Sequence, residues 1–117
     1  MQTRTFGRLG WQVSEVGYGL WGVGGWTGSD DAESMEAIER SLALGCTFFD
    51  TALAYGNGKS EELLGRVLAR HPSTPLRAGP STPLRTGLSI VATKIPPKNL
   101  QWPARATYAL SDVYPAD

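Results

Sequence analysis

Short apolar segments alternate with amphipathic stretches along most of the chain, an order typical of a parallel α/β fold. Residues 46–49 and 88–93 have the length and composition of strands buried on both faces. A further strand is predicted over residues 14–19, ahead of a glycine-rich run. The segments 46–49 and 88–93 end on opposite charges, Asp50 and Lys94. Because a charge at the end of a buried strand is costly without a partner, these two side chains are candidates for an ion pair.

Two helices are predicted between these strands. The first follows Asp30, whose spacing to Glu33 is that of a capping box, and it stops at Gly45, which suits a left-handed turn. Its apolar face consists of Met35, Ile38 and Leu42. The second begins near Ser60 and ends at residues 71–72. Its apolar face consists of Leu63, Leu64, Val67 and Leu68.

The order strand–helix–strand–helix–strand places functional candidates at one edge of the sheet. Crossovers between parallel strands are right-handed almost without exception, so the strand C-termini point the same way. Residues 19–21, residues 50–55 and Lys94 would then share this edge, with Asp50 and Lys94 paired beside Tyr55. Ahead of this unit, the alternation in residues 3–14 predicts a small hairpin with its turn near Leu9 and Gly10.

Charge and composition exclude several classes of protein. Eleven basic and eleven acidic residues cancel, which argues against nucleic acid or an anionic membrane surface as a partner. The N-terminus lacks the apolar core of a signal peptide, and no segment approaches the roughly 20 apolar residues of a membrane span. The single cysteine, Cys46, excludes an intramolecular disulfide and fits a small core residue. We therefore expect a cytoplasmic protein, and no metal site is predicted.

A near-duplication interrupts the alternation of strands and helices: the sequence of residues 73–80 is repeated, almost unchanged, in residues 81–88. Two copies of eight residues are too few and too short for a solenoid. The segment comes between the second helix and the third parallel strand in the sequence, and we expect it at the end of the sheet opposite the charged edge. We interpret it as a duplicated surface loop whose extra length costs little stability.

Gly17, Gly19 and Gly22 match the dinucleotide-binding fingerprint, and the acid Asp50 ends the next strand. Two features oppose a Rossmann-type domain. The fingerprint should open a helix directly, whereas residues 23–28 intervene here. Asp50 also comes 28 positions after Gly22 rather than roughly 20. A Rossmann-type domain is therefore the weaker alternative.

A longer pattern matches a different family. Its parts are Gly17-Tyr18-Gly19-Leu20-Trp21-Gly22, Phe48-Phe49-Asp50-Thr51-Ala52, Tyr55-Gly56-x-Gly58-x-Ser60-Glu61, Leu64-Gly65 and Val91-Ala92-Thr93-Lys94. This pattern resembles the aldo-keto reductase family from Leu9 to Lys94, apart from the duplicated loop. The resemblance implies an α/β fold that is part of a (β/α)8 TIM barrel, with residues 1–117 supplying a bottom-closing hairpin and the first three βα units. In that barrel, Phe48 and Val91 would face the interior.

The resemblance also implies a chemistry. By its position in the motif, Tyr55 would be the general acid that protonates the nascent alkoxide, and Lys94 would favour the phenolate left behind. Asp50 would pair with Lys94 and orient it. The residues bordering the cofactor would be Gly19, Leu20, Trp21 and Asp50. The implied reaction is hydride transfer between NADPH (or NADH) and a small-molecule carbonyl substrate.

The chain also departs from the family pattern. The family's fourth site residue, a histidine, lies on the strand after that of Lys94, which this sequence does not reach, and such barrels typically need about 250 residues. The only histidine, His71, lies at the end of the second helix and is interpreted as a surface or capping residue. Lys59 and Lys98 are interpreted as solvated charges. Two hypotheses stay open: the N-terminal piece of a reductase, or a truncated product that is non-catalytic or only a binding fragment.

Overall fold

The computed structural model describes residues 1–26, 28, 30–71 and 89–97 of the chain. In these ranges the strands are β1 (Thr3–Phe6), β2 (Trp11–Ser14), β3 (Tyr18–Gly19), β4 (Phe48–Asp50) and β5 (Ile90–Ala92), and the helices are α1 (Asp31–Ala43) and α2 (Lys59–Arg70). Two short 3-10 helices, Gly7–Leu9 and Trp21–Gly24, follow β1 and β3. The predicted order of strands and helices is confirmed. The duplicated segment at 73–88, and any helix after residue 97, lie outside the described residues.

Strands β1 and β2 form the predicted antiparallel hairpin, in a register that pairs Thr3 with Ser14 and Phe6 with Trp11. The first strand ends at Phe6 because the chain leaves the extended conformation at Gly7, where φ is +57°. At the closed end of the hairpin, the Phe6 ring lies against the ring of Phe48, with centroids 5.6 Å apart. The hairpin thus packs on the start of β4, at the end of the sheet opposite the strand C-termini.

Strands β3, β4 and β5 form a parallel sheet with β4 in the centre. The register aligns Gly19, Asp50 and Ala92, so the three strand C-termini lie side by side, as predicted. The predicted strand over residues 14–19 is only partly correct. Ser14 belongs to the hairpin, and only Tyr18–Gly19 pairs with β4.

The core lies between the sheet and the two helices, which pack against each other. Phe49 of β4 is fully buried there with Ile38 of α1 and Val67 of α2. The predicted apolar stripe of α2 is confirmed by four buried residues: Leu63, Leu64, Val67 and Leu68. The predicted face of α1 is confirmed in part, because Met35 and Leu42 are half-buried at the edge of the core.

Two expectations about the sheet are wrong. Neither β4 nor β5 is buried on both faces, because Phe48 and the whole of β5 are half-buried among the described residues. Phe48 and Val91 also do not share a face. The register pairs Val91 with Phe49, and since side chains alternate along a strand, Val91 points with Phe49 toward the helices. Phe48 lies on the opposite face, against the hairpin.

The start of α1 and the ends of both helices follow from local chemistry. The Asp30 side chain caps α1 by accepting from the N–H of Glu33 at 2.7 Å, and Gly45 takes the left-handed conformation beyond its end. His71 caps the C-terminus of α2 as expected, its N–H donating to the carbonyl of Leu68. Neither described helix is long and apolar enough to span a membrane. Cys46 is a buried free thiol, as predicted.

Candidate active site

Asp50 and Lys94 lie on the same face of the sheet, at the ends of adjacent strands. The register pairs Asp50 with Ala92, and side chains alternate along extended chain, so Lys94 projects to the same side as Asp50. The Lys94 Nζ donates to Oδ1 of Asp50 at 2.5 Å and to the carbonyl oxygen of Thr51 at 2.9 Å. Each side chain of the ion pair is about half exposed, at 51% for Lys94 and 49% for Asp50.

Tyr55 lies in the loop between β4 and α2, and backbone hydrogen bonds fix its position. Its N–H donates to the carbonyl of Ala52 at 2.9 Å, and its own carbonyl accepts from the N–H of Ser60 at 3.2 Å. The Lys94 Nζ lies 4.9 Å from the centroid of the Tyr55 ring, which is within the range of a cation–π contact. The structure therefore brings Asp50, Tyr55 and Lys94 together at one end of the parallel sheet.

The surroundings of Lys94 favour its charged form. The hydrogen bond to Asp50 raises the pKa of Lys94 above its ordinary value of 10.5, and the Tyr55 side chain raises this pKa further. Partial desolvation lowers the pKa but is outweighed. Lys94 is therefore a cation at neutral pH. The structure thus places a positive charge beside the Tyr55 ring.

A pocket of about 620 Å³ opens beside Tyr55 and Lys94. The loop at residues 52–57 forms one wall, and the segment after β5, including Ile95 and Pro96, forms the other. This volume lies within the roughly 300–1,000 Å³ that is usual for small-molecule sites. The pocket thus exposes a phenol and an ammonium group to a mostly apolar space.

The residues predicted to border a cofactor have three different environments. Gly19 is aligned with Asp50, and a Cβ placed on it would meet nothing within 4 Å, so the space above it is open. Leu20 is fully buried, and its N–H donates to the carbonyl of Asp50 at 2.9 Å. Trp21 is 57% exposed and stacks on Trp26, with ring centroids 5.7 Å apart. The buried Leu20 thus fixes the position of the backbone at the end of β3. Gly19 and Trp21, on either side of it, are open to a ligand.

A contact between two glycines, which the sequence analysis did not predict, joins the loops of this site. Gly24 lies in the turn after β3, and Gly56 directly follows Tyr55. Gly56 has φ of +66°, and a Cβ on it would lie 2.4 Å from the carbonyl oxygen of Gly24. A Cβ on Gly24 would lie 2.9 Å from the amide nitrogen of Gly56. Only glycine at both positions permits this approach, and the glycine-rich run was the signal in the sequence.

Lys59 is partly exposed, as expected for a solvated charge, but it also forms an ion pair that the sequence analysis did not predict. It is the first residue of α2, and its Nζ lies 2.6 Å from Oδ1 of Asp31 at the start of α1, with 37% of the Lys59 side chain exposed. This ion pair ties the two helix N-termini together. Lys98 lies outside the described residues. Among the described residues, no group of three or more His, Cys, Asp or Glu side chains is placed to hold a metal ion.

Comparison with known proteins places these features in a family. The family model described as the aldo/keto reductase family matches residues 15–109. Among curated proteins, the aldo-keto reductase YhdN of Bacillus subtilis is 38% identical over 73 residues, which is 61% of this chain and 22% of that protein. The chain thus spans about a fifth of the length of that relative.

Solved structures agree with this match. The aldo-keto reductase AKR11C1 from Bacillus halodurans, in its holo form, superposes with a TM-score of 0.61 at 27% identity, over 83% of this chain and 26% of that one. The thermostable aldo-keto reductase Tm1743, solved with the inhibitor epalrestat, gives a TM-score of 0.62 at 29% identity, over 86% of this chain and 33% of that one. Both of these neighbours are TIM barrels.

Proposed function

The chain belongs to the aldo/keto reductase family, and on this premise we propose that it carries the proton-donating part of a carbonyl reductase site. The observation that carries the proposal is the position of the Lys94 ammonium group, between the carboxylate of Asp50 and the ring of Tyr55. The proposed reaction is reversible hydride transfer between a nicotinamide cofactor and a small-molecule carbonyl compound. NADPH is the cofactor we expect, with NADH as the alternative.

Tyr55 is the proposed proton donor. A free phenol has a pKa of about 10 and is a weak acid at neutral pH. The Lys94 charge beside the ring would offset the negative charge that develops on the phenol oxygen while the proton is transferred. Asp50 holds this charge in place through the ion pair at 2.5 Å. The proton would move from the Tyr55 hydroxyl to the oxygen of the carbonyl compound as negative charge develops there.

The residues at the end of β3 fit a nicotinamide nucleotide. Among the described residues, Lys94 contacts Asp50 through the carboxylate oxygen Oδ1. The other carboxylate oxygen, Oδ2, can then accept a hydrogen bond from a ribose hydroxyl. The open space above Gly19 leaves room for the nucleotide beside this carboxylate. The exposed ring of Trp21 provides a flat wall, and the buried Leu20 fixes the backbone between them. When bound, the nicotinamide supplies the hydride.

The substrate would occupy the pocket of about 620 Å³ beside Tyr55. Its walls are mostly apolar, and among the described residues Tyr55, Asn57 and Lys94 are the polar side chains that line it. Tyr55 would hydrogen-bond the carbonyl oxygen before it donates the proton. A small aldehyde or ketone with an apolar body matches this arrangement.

We infer that this sheet is the first part of a (β/α)8 barrel, because both solved neighbours are barrels and this chain matches about a quarter to a third of each. We further propose that the 117-residue polypeptide is catalytically inert by itself. The aldo-keto reductase site that this chain resembles includes a histidine. The histidine of this chain, His71, instead caps the C-terminus of α2. As a polypeptide alone, the chain would then act as a non-catalytic fragment.

The reductase proposal is testable in a hybrid barrel, in which these 117 residues replace the matched third of Tm1743. Lys94→Met is compared with Lys59→Met, since both lysines form an ion pair with an aspartate, at 2.5 Å and 2.6 Å. The measurement is the oxidation of NADPH by an aldehyde, followed by absorbance. We expect Lys94→Met to reduce kcat by at least about 100-fold and Lys59→Met to leave kcat within about threefold.

Equal kcat values for the two variants would contradict the proposed role of Lys94. Binding of NADPH to each variant, measured by fluorescence titration, separates a chemical defect from a structural one. A Lys94→Met variant that binds NADPH like the parent and does not reduce the aldehyde would support the proposal.

A further inference from the structure

Two buried hydroxyl groups lie directly behind the proposed site. The side chains of Thr51 and Ser60 are 1% and 0% exposed, and their hydroxyl oxygens are 2.9 Å apart. The Ser60 hydroxyl also lies 3.0 Å from the carbonyl oxygen of Leu20. Because a carbonyl only accepts, the Ser60 hydroxyl donates to Leu20, and Thr51 must donate to Ser60. Both hydrogen bonds in the series Thr51–Ser60–Leu20 therefore have a defined donor and acceptor.

Ser60 connects three segments that carry the proposed site. Its hydroxyl holds the carbonyl of Leu20 at the end of β3 and receives the hydrogen bond from Thr51 just after β4. Its backbone N–H donates to the carbonyl of Tyr55 at 3.2 Å. Buried polar groups are costly unless they are hydrogen-bonded, so these contacts select one relative arrangement of the three segments.

The Thr51 peptide is in turn the second acceptor for Lys94. The carbonyl oxygen of Thr51 lies 2.9 Å from the Lys94 Nζ, and the N–H of Thr51 donates to the carbonyl of Ala92 at 2.8 Å. Thr51 is therefore held on one side by β5 and on the other by Ser60. A shift of this peptide would move the acceptor that aims the ammonium group at the Tyr55 ring.

We propose that Thr51 and Ser60 are positioning residues, whose buried hydroxyl pair fixes the Thr51 carbonyl and thereby holds the Lys94 ammonium group between Asp50 and Tyr55. The importance of this position for catalysis rests on the proposed reductase function. The hydroxyl pair itself touches neither substrate nor cofactor. Its effect on Lys94 is measurable without turnover.

The alternative is that the two side chains only fill space in the core. Thr51→Val separates the two explanations, because valine has nearly the same shape as threonine and lacks the hydroxyl. Thr51→Ser is the matched rescue variant, since it keeps the hydroxyl and loses a methyl group. Ser60→Ala removes the partner hydroxyl. Ser34→Ala is the control for loss of a buried serine hydroxyl elsewhere, in the first turns of α1.

The experiment is competitive acylation of the full 117-residue chain at neutral pH, read by mass spectrometry at Lys94 and Lys59. Only the neutral amine reacts, so a lysine held as an ammonium group reacts more slowly than in the same chain under denaturing urea. The ratio of these two rates is the protection of each lysine. We expect Thr51→Val and Ser60→Ala to reduce the protection of Lys94 by about two- to fivefold. Thr51→Ser and Ser34→Ala should keep it.

Lys59 is the comparison, because its ion pair with Asp31 includes neither hydroxyl of the Thr51–Ser60 pair. Loss of protection at Lys94 alone supports the proposal. A faster reaction at both lysines would show that the hydroxyls hold the whole fold, and unchanged protection at Lys94 would show that they only fill space; either result overturns the proposal. A parent chain without protection at Lys94 would contradict the geometry itself. Failure of the reductase proposal would leave these results unchanged, since acylation needs no turnover.

Discussion

The Lys94 Nζ lies 2.5 Å from Oδ1 of Asp50, although the two residues are 44 positions apart in the sequence. The contact exists because β4 and β5 are adjacent parallel strands and their register aligns Asp50 with Ala92. The same ammonium group lies 4.9 Å from the centroid of the Tyr55 ring. The Lys94 charge thus links the end of β4, the end of β5 and the loop that carries Tyr55. Each role proposed for the site depends on this arrangement.

The first prediction concerns stability at alkaline pH. The folded protein raises the pKa of Lys94 above 10.5, mainly through Asp50. This interaction therefore stabilises the fold fully below the pKa of the unfolded lysine and is lost as the pH rises through the pKa of the folded state. The difference in the free energy of unfolding between the parent hybrid barrel and Lys94→Gln should be constant near neutral pH and shrink at higher pH.

Urea unfolding at a series of pH values measures this difference. The control is the same pair of variants in an Asp50→Asn background, where the largest cause of the raised pKa is absent. There the difference should vary less with pH. A parent that loses no more stability than Lys94→Gln between neutral pH and strongly alkaline pH would show that the ion pair is not maintained in solution.

The second prediction uses two glycines with opposite surroundings. Gly56→Ala should destabilise the hybrid barrel by roughly 2–4 kcal/mol, since it combines a positive φ with a collision against Gly24. Gly65 lies within α2 and has nothing within 4 Å of an added Cβ. Gly65→Ala should therefore stabilise by about 0.5–1 kcal/mol. Urea unfolding measures both, and a harmless Gly56→Ala would be incompatible with the close approach of the two loops.

Much of the fold was predictable because it follows from local patterns. The apolar spacing of Leu63, Leu64, Val67 and Leu68 gave the buried face of α2, and Asp30 with Glu33 gave the start of α1. The positions of Asp50 and Lys94 at strand ends led to a shared edge through the handedness of crossovers. These signals depend on residues close together in the sequence, or on one general rule of topology.

The rest of the fold and of the site depends on contacts between residues far apart in the sequence, and a single sequence does not identify these contacts. Nothing local shows that Gly24 approaches Gly56, or that Ser60 turns its hydroxyl toward Leu20 rather than toward its own helix end. The face occupied by Val91 was mistaken because the apolar segment offers no alternation from which to read an orientation. The register with Phe49 decides it.

The third prediction concerns the duplicated loop, which lies outside the described residues. Deleting residues 73–80 from the hybrid barrel should leave its unfolding midpoint and its kcat unchanged, because loop length enters stability only logarithmically. Thermal unfolding and NADPH oxidation measure the two quantities. A large fall in the midpoint would instead show that the second copy packs against the protein.

The fourth prediction concerns the polypeptide by itself. The 117 residues should neither oxidise NADPH in the presence of an aldehyde nor bind NADPH tightly. Among the described residues, β3 and β5 each pair only with β4, and the face of the sheet that carries Phe48 is half-exposed. Absorbance and fluorescence titration test the two expectations. Turnover by the isolated chain would show that the site needs no further part of a barrel.

The most direct test of Tyr55 as proton donor is the single-turnover rate of aldehyde reduction by the hybrid barrel with Tyr55→Phe, measured together with the Kd of NADPH. The phenol hydroxyl matters only where charge develops in the transition state, so removing it should slow reduction by at least about 100-fold. The Kd of NADPH should stay within about threefold of the parent value, since Tyr55 lies on the substrate side of Lys94 in this proposal. Reduction at close to the parent rate, with NADPH bound normally, would contradict the role of Tyr55 as proton donor.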